Sequence, residues 1–206
     1  AVDLVKKDHS FHEISSGQLA KYREGYFART QEMQAGFFHV LGIGFEGYYL
    51  QKYVPYASIA DAVSVIHKQK GIAGLNHPFF LSTGWLMVKS ATEEDLVKIK
   101  EGYTVADEVE VHNAFCIDLV PGIIAAKKAN TLAQRLLQEY PSKKGMAGSD
   151  CHRQLSQAKI TGNYIDQKVI DGEGIGGVKQ AIRAGSFERY APTLDVYVSR
   201  GSWILG

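Results

Sequence analysis

The sequence predicts an α/β chain built from repeated strand-helix units, and three observations carry that expectation. Short apolar runs, too brief for helices, recur along the chain, as in Ile72-Ala73-Gly74-Leu75 and Met146-Ala147. Between them lie longer stretches whose apolar residues fall at the helical period, such as Ile59, Ala62, Val63 and Ile66. Several of the short runs end at histidine, asparagine or aspartate. Alternation of this kind implies a parallel sheet, closed as a barrel or open and doubly wound.

Taken in order, Ala1-Val2-Asp3-Leu4-Val5 reads as an opening strand. Ser58 stands where an N-cap is wanted before the Ile59 helix, and Gly71 ends it. The run from Ile72 to Leu75 is a buried strand that stops at Asn76-His77-Pro78. A helix holding Leu96 and Ile99 follows, then the alternating strand Glu108-Val109-Glu110-Val111. Pro121 suits a first helical turn, and Ala125, Ala129, Leu132, Ala133, Leu136 and Tyr140 line one face of a helix reaching Tyr140. Gly145 to Gly148 is another short strand. Asn163 to Ile165, a helix near Val178 to Arg183, and Phe187 to Tyr190 complete the series. The glycine-rich stretch from Gly172 to Gly177 matches neither a phosphate-binding loop nor a dinucleotide fingerprint and reads as a turn.

With 206 residues, 45% of them apolar, and no repeat or proline-rich linker, the chain is expected to be one domain. Its 23 basic and 22 acidic residues nearly cancel, so no general affinity for polyanions is expected. Two cysteines, Cys116 and Cys151, do not make a disulfide framework, and a reducing, cytoplasmic setting fits better. No apolar stretch approaches the roughly 18 to 20 residues that a membrane-spanning helix needs.

The chemistry resides in the histidines. Of seven, His9, His39, His77 and His152 fall at or near the ends of short apolar runs, and Asp150 stands two residues from His152. Barrel enzymes place catalytic groups at such strand ends. Imidazole and carboxylate together form the usual shell for zinc, manganese or iron. An ion so held lowers the pKa of its water toward about 7. His12 and His67 sit in polar surroundings and are expected to be solvated.

Set beside known motifs, the chain resembles the PHP (polymerase and histidinol phosphatase) superfamily. Asp8-His9-Ser10 resembles its Thr-Asp-His motif, with Lys7 in the threonine place. Glu32-Met33 followed by Phe38-His39-Val40-Leu41-Gly42 resembles the segment supplying a bridging glutamate and a histidine. Asn76-His77-Pro78 is similar to the His-Pro motif, Glu110-Val111-His112-Asn113 to the Glu-Val-x-Asn strand, and Gly148-Ser149-Asp150-Cys151-His152 to the closing Gly-Ser-Asp-x-His motif. The matches keep the family order.

The resemblance implies a distorted seven-stranded β/α barrel of the TIM-like type. It implies metal-ligand roles for His9, Glu32, His39, His77, Asp150 and His152, with Asp150 and His152 serving catalysis too. Two departures stand. No His-x-His pair occurs in the sequence, so a strand carrying one is expected upstream of Ala1, making the barrel incomplete at its N-terminus as given. Glu13 also competes with Glu32 for the bridging position, and Glu32 has the better context.

The expected activity is hydrolysis of a phosphate ester by attack of metal-bound hydroxide, with two or three divalent ions of zinc, manganese or iron. Substrates in view are a small phosphorylated molecule, a nucleotide or a short oligonucleotide. Arg153, His112 and Asn113 are the expected substrate contacts, Arg153 through its planar fork. The competing readings are metal-dependent hydrolysis of carbon–nitrogen bonds and a catalytically inactive regulatory module.

Overall fold

The computed structural model describes residues 11–15, 18–22, 25–45, 56–84, 87–116, 124–150 and 161–191. The expected opening strand at Ala1 to Val5 and the first turn at Pro121 lie outside them. Along the chain come β1 (Phe11–Ser15), β2 (Leu19–Tyr22), β3 (Gly25–Ala28), β4 (Thr30–Ala35), β5 (Phe38–Ile43), α1 (Ile59–Lys68), β6 (Ile72–Asn76), β7 (Leu81–Gly84) and β8 (Met87–Lys89). They continue with α2 (Glu93–Val105), β9 (Glu108–Asn113), a single 3-10 turn (Ala114–Cys116), α3 (Ile124–Leu137), β10 (Met146–Gly148), β11 (Gly162–Tyr164), α4 (Gln167–Glu173), α5 (Ile175–Arg183) and β12 (Glu188–Tyr190).

The expected seven-stranded barrel is corrected by the sheet itself. The described residues form an open five-stranded mixed sheet in the order β10-β9-β6-β5-β4, beside smaller sheets of three, two and two strands, with no closed barrel among them. β6 and β9 run parallel, as do β9 and β10, but β4–β5 and β5–β6 are antiparallel. A β/α barrel needs parallel neighbours throughout. Here the two-residue turn Gly36-Phe37, with Gly36 at φ 64°, folds β5 straight back along β4. β11 and β12 also pair antiparallel rather than extending a parallel series. The glycine-rich stretch read as a turn begins inside α4 and leads into α5, with Gly174 at φ 57° breaking the two helices.

Each face of the large sheet has its own core. On one face Met33, Val40, Ala73, Leu75, Val109 and Val111 pack with α1, α2 and α3. On the other, Ile43 and Ile72 meet Leu19 and the helical residues Ile170, Val178 and Ile182. α1 starts where Ser58 accepts the Asp61 N–H, and α2 starts with a reciprocal capping box between Thr92 and Asp95. At the far end of α1, His67 Nε2 lies 2.7 Å from Asp107 Oδ2, which also accepts the Ala73 N–H. His67 is thus partnered rather than merely solvated. Among the described residues no helix is long and apolar enough to cross a membrane.

Candidate metal centre

Strand alternation assembles the site. On β4 Met33 and Ala35 point into the helical core, which leaves Glu32 on the opposite face. On β5 Phe38 and Val40 do the same, leaving His39 beside it. Leu41 is opposite Glu32 and Gln34 opposite His39, so Glu32 and His39 are diagonal neighbours, and His39 faces Asn76 of β6.

His77 joins them by breaking the rule. An extended residue after Asn76 would point to the other face, yet Asn76 and His77 both approach Glu32 Oε1. The break is in the backbone: His77 has φ 25°, a region that residues with a side chain rarely adopt. Asp150, at the end of the β10 segment, is a second such residue at φ 48°. Strained backbone of this kind concentrates at functional sites.

Three ligand atoms then converge. His39 Nδ1 lies 3.3 Å from Glu32 Oε1, His77 Nε2 lies 3.5 Å from the same oxygen, and the two nitrogens are 3.4 Å apart. Charge-assisted hydrogen bonds run about 2.7–2.9 Å, so these spacings are long for direct pairing. His67 and Asp107, at 2.7 Å, show what a direct pair looks like in this chain. Neighbouring ligands in a tetrahedral zinc shell of about 2.0–2.1 Å radius sit about 3.3–3.4 Å apart. The triangle has the spacing of co-ligands, and this group can hold a metal ion.

The surroundings suit a cation. Burial alone would raise the Glu32 carboxyl, but His39, His77 and Asn76 outweigh it and hold it well below the usual carboxylate range. Burial would lower the His77 imidazolium, yet Glu32, Glu110 and Asp150 outweigh it and raise the group to about 9. A metal ion held here would compete with the proton on His77.

Beneath the triangle lies a carboxylate that the sequence reading did not single out as a site residue. Glu110 Oε2 accepts the His77 N–H at 2.7 Å, and Asn113 Nδ2 donates to both Glu110 oxygens, at 3.3 and 3.2 Å. Burial pushes Glu110 up to about 7, against the pull of His77 and Asn113. Glu108, one pleat earlier on β9, is 2% exposed, and its Oε2 has no hydrogen-bond partner among the described residues. Burial pushes it up to about 8. The available signal was a pair of glutamates at alternate positions of a strand whose intervening residues, Val109 and Val111, are apolar.

Of the expected ligands, the structure brings together Glu32, His39 and His77. Asp150 is near enough for its charge to act on His77, Glu110 and Cys116. His9 and His152 lie outside the described residues, as does Arg153. Asn113 is 1% exposed and committed to Glu110 and to Asn130 of α3. His112 is half-buried, and burial followed by the Arg189 charge lowers its pKa. No protein-family model matches the chain, and no curated protein matches it.

Proposed function

We propose that the chain is a metal-dependent phosphoesterase of the PHP kind, acting on a small phosphorylated molecule or a short oligonucleotide. The observation that carries this reading is the convergence of Glu32, His39 and His77 from three strands at co-ligand spacing. Those residues would hold a first ion, and the family resemblance assigns Asp150, His9 and His152 to a cluster of two or three ions of zinc, manganese or iron. A divalent ion bound there lowers the pKa of its water toward about 7 and neutralises phosphoryl charge.

The protein groups have distinct tasks. Glu32 supplies a carboxylate that is ionised at any physiological pH. His77 would serve as a neutral imidazole ligand, and its backbone is tied to Glu110. Arg153 orients the phosphate in this reading. Glu32 and His39 keep about a third of their side-chain surface in solvent, which leaves an open side for substrate.

The test strips the full chain with a chelator and reloads it with Mn²⁺, Zn²⁺ or Fe²⁺. Turnover is then measured on p-nitrophenyl phosphate, bis(p-nitrophenyl) phosphate and a p-nitroanilide. Phosphoester cleavage should require metal, and His77→Ala or Glu32→Ala should lower kcat/KM by more than the 10- to 100-fold typical of outer-shell partners. Metal-loaded protein that cleaves only the anilide supports carbon–nitrogen hydrolysis instead. Loaded protein with no turnover overturns the enzymatic reading.

A further inference from the structure

The bonds around Asn113 reach from the candidate metal centre into a helix. Asn130 of α3 pairs with both backbone groups of Asn113: its Oδ1 accepts the Asn113 N–H at 2.8 Å, and its Nδ2 donates to the Asn113 carbonyl at 3.0 Å. A side-chain amide here does what a neighbouring strand would do at the last residue of β9. Asn113 Oδ1 accepts the Cys116 N–H at 3.2 Å, which turns the Asn113 Nδ2 toward Glu110. Glu110 in turn accepts the His77 N–H. The chain of contacts ends on the residue whose backbone is held at φ 25°.

A positive φ on a histidine costs free energy, and it persists only where the surroundings impose it. The hydrogen bond from the His77 N–H to Glu110 fixes the plane of the Asn76–His77 peptide, and with it the point from which the His77 side chain departs. Glu110 itself is buried and stays in place through Asn113. We propose that Asn130 is a positioning residue for the metal centre, acting through Asn113 and Glu110 on the backbone of His77. This inference rests on the metal-binding reading above. It adds that the fit of His77 to an ion is set by a side chain on α3.

Co²⁺ titration of the full chain tests it, read by the visible spectrum and by affinity, alongside the amide proton shift of His77 in nuclear magnetic resonance. Asn130→Ala should weaken Co²⁺ binding by about 10- to 100-fold, alter the spectrum and move the His77 amide proton upfield as its bond to the carboxylate loosens. Glu110→Gln, which keeps shape and an acceptor but not the charge, should move the same readouts in the same direction. The control is Tyr103→Phe, which deletes a 2.9 Å bond to the Ala133 carbonyl of the same helix outside this chain of contacts. It should leave all three readouts unchanged. Wild-type binding with Asn130→Ala indistinguishable from Tyr103→Phe overturns the role of Asn130 alone. Wild-type protein that takes up no Co²⁺ overturns the metal reading, and the role of Asn130 with it.

Discussion

At the scale of single residues, the site depends on backbone conformations that side chains then exploit. Gly148 illustrates the tolerance involved. A Cβ there would come within 1.9 Å of Glu110 Oε1, and that oxygen cannot swing away without leaving Asn113 or uncovering the His77 N–H. Gly148→Ala should therefore destabilise the protein by about 1–3 kcal/mol, as overpacked cores do, and weaken Co²⁺ binding as well. Chemical denaturation and metal titration check both, and unchanged metal affinity would show that Glu110 is not coupled to the site. Glu32, His39 and His77 could be picked from the sequence because metal ligands are restricted to few residue types and stood in a recognisable order. Glu110 falls inside the Glu-Val-x-Asn match but drew no role of its own, since a glutamate in an alternating strand reads equally well as solvent-facing. The burial of Glu108, Val109 and Val111 around it distinguishes the two.

At the scale of elements, α1, β9 and α5 are readable from a clear period or a cap, and β6 and β10 from brief apolar runs beside glycine. The Ser58 cap and the apolar stripe from Ile59 to Ile66 are where the spacing put them. The antiparallel meander β1–β3 and the β7–β8 hairpin were missed. Their strands are three to five residues long and mix polar, aromatic and small side chains, so no period can build up. Helix α2 shows how packing overrides propensity. Gly102 lies in its interior, and a Cβ there would meet Leu75 Cδ2 at 2.7 Å and Ile59 Cδ1 at 3.2 Å, both on buried side chains. Replacing an exposed helical glycine by alanine gains about 1 kcal/mol. Here the clash of about 1–3 kcal/mol should win, so Gly102→Ala should lower the denaturation midpoint. A raised midpoint would mean that α2 does not press against β6 and α1 as closely as this.

At the scale of the molecule, the expectation of a barrel failed for a definable reason. The barrel is what the family resemblance implies, whereas strand-helix alternation alone leaves the sheet open or closed; in residues 11–43 hairpins replace crossovers, and β7–β8 and β11–β12 are antiparallel pairs too. Hairpin turns are short-range features set by two or three residues such as Gly36-Phe37, and helical periodicity cannot reveal them. The site survives the change of fold because convergence needs only that β4, β5 and β6 be adjacent, with Glu32 and His39 on one face and the positive φ of His77 turning it to the same side. Antiparallel pairing supplies that as well as a barrel would. The most direct measurement is X-ray absorption at the zinc edge of zinc-loaded protein. The account predicts a nitrogen and oxygen shell at about 2.0–2.1 Å, with imidazole scattering that falls when either His39 or His77 is replaced by alanine. Zinc lost on gel filtration, or a shell unchanged by both replacements, would contradict it.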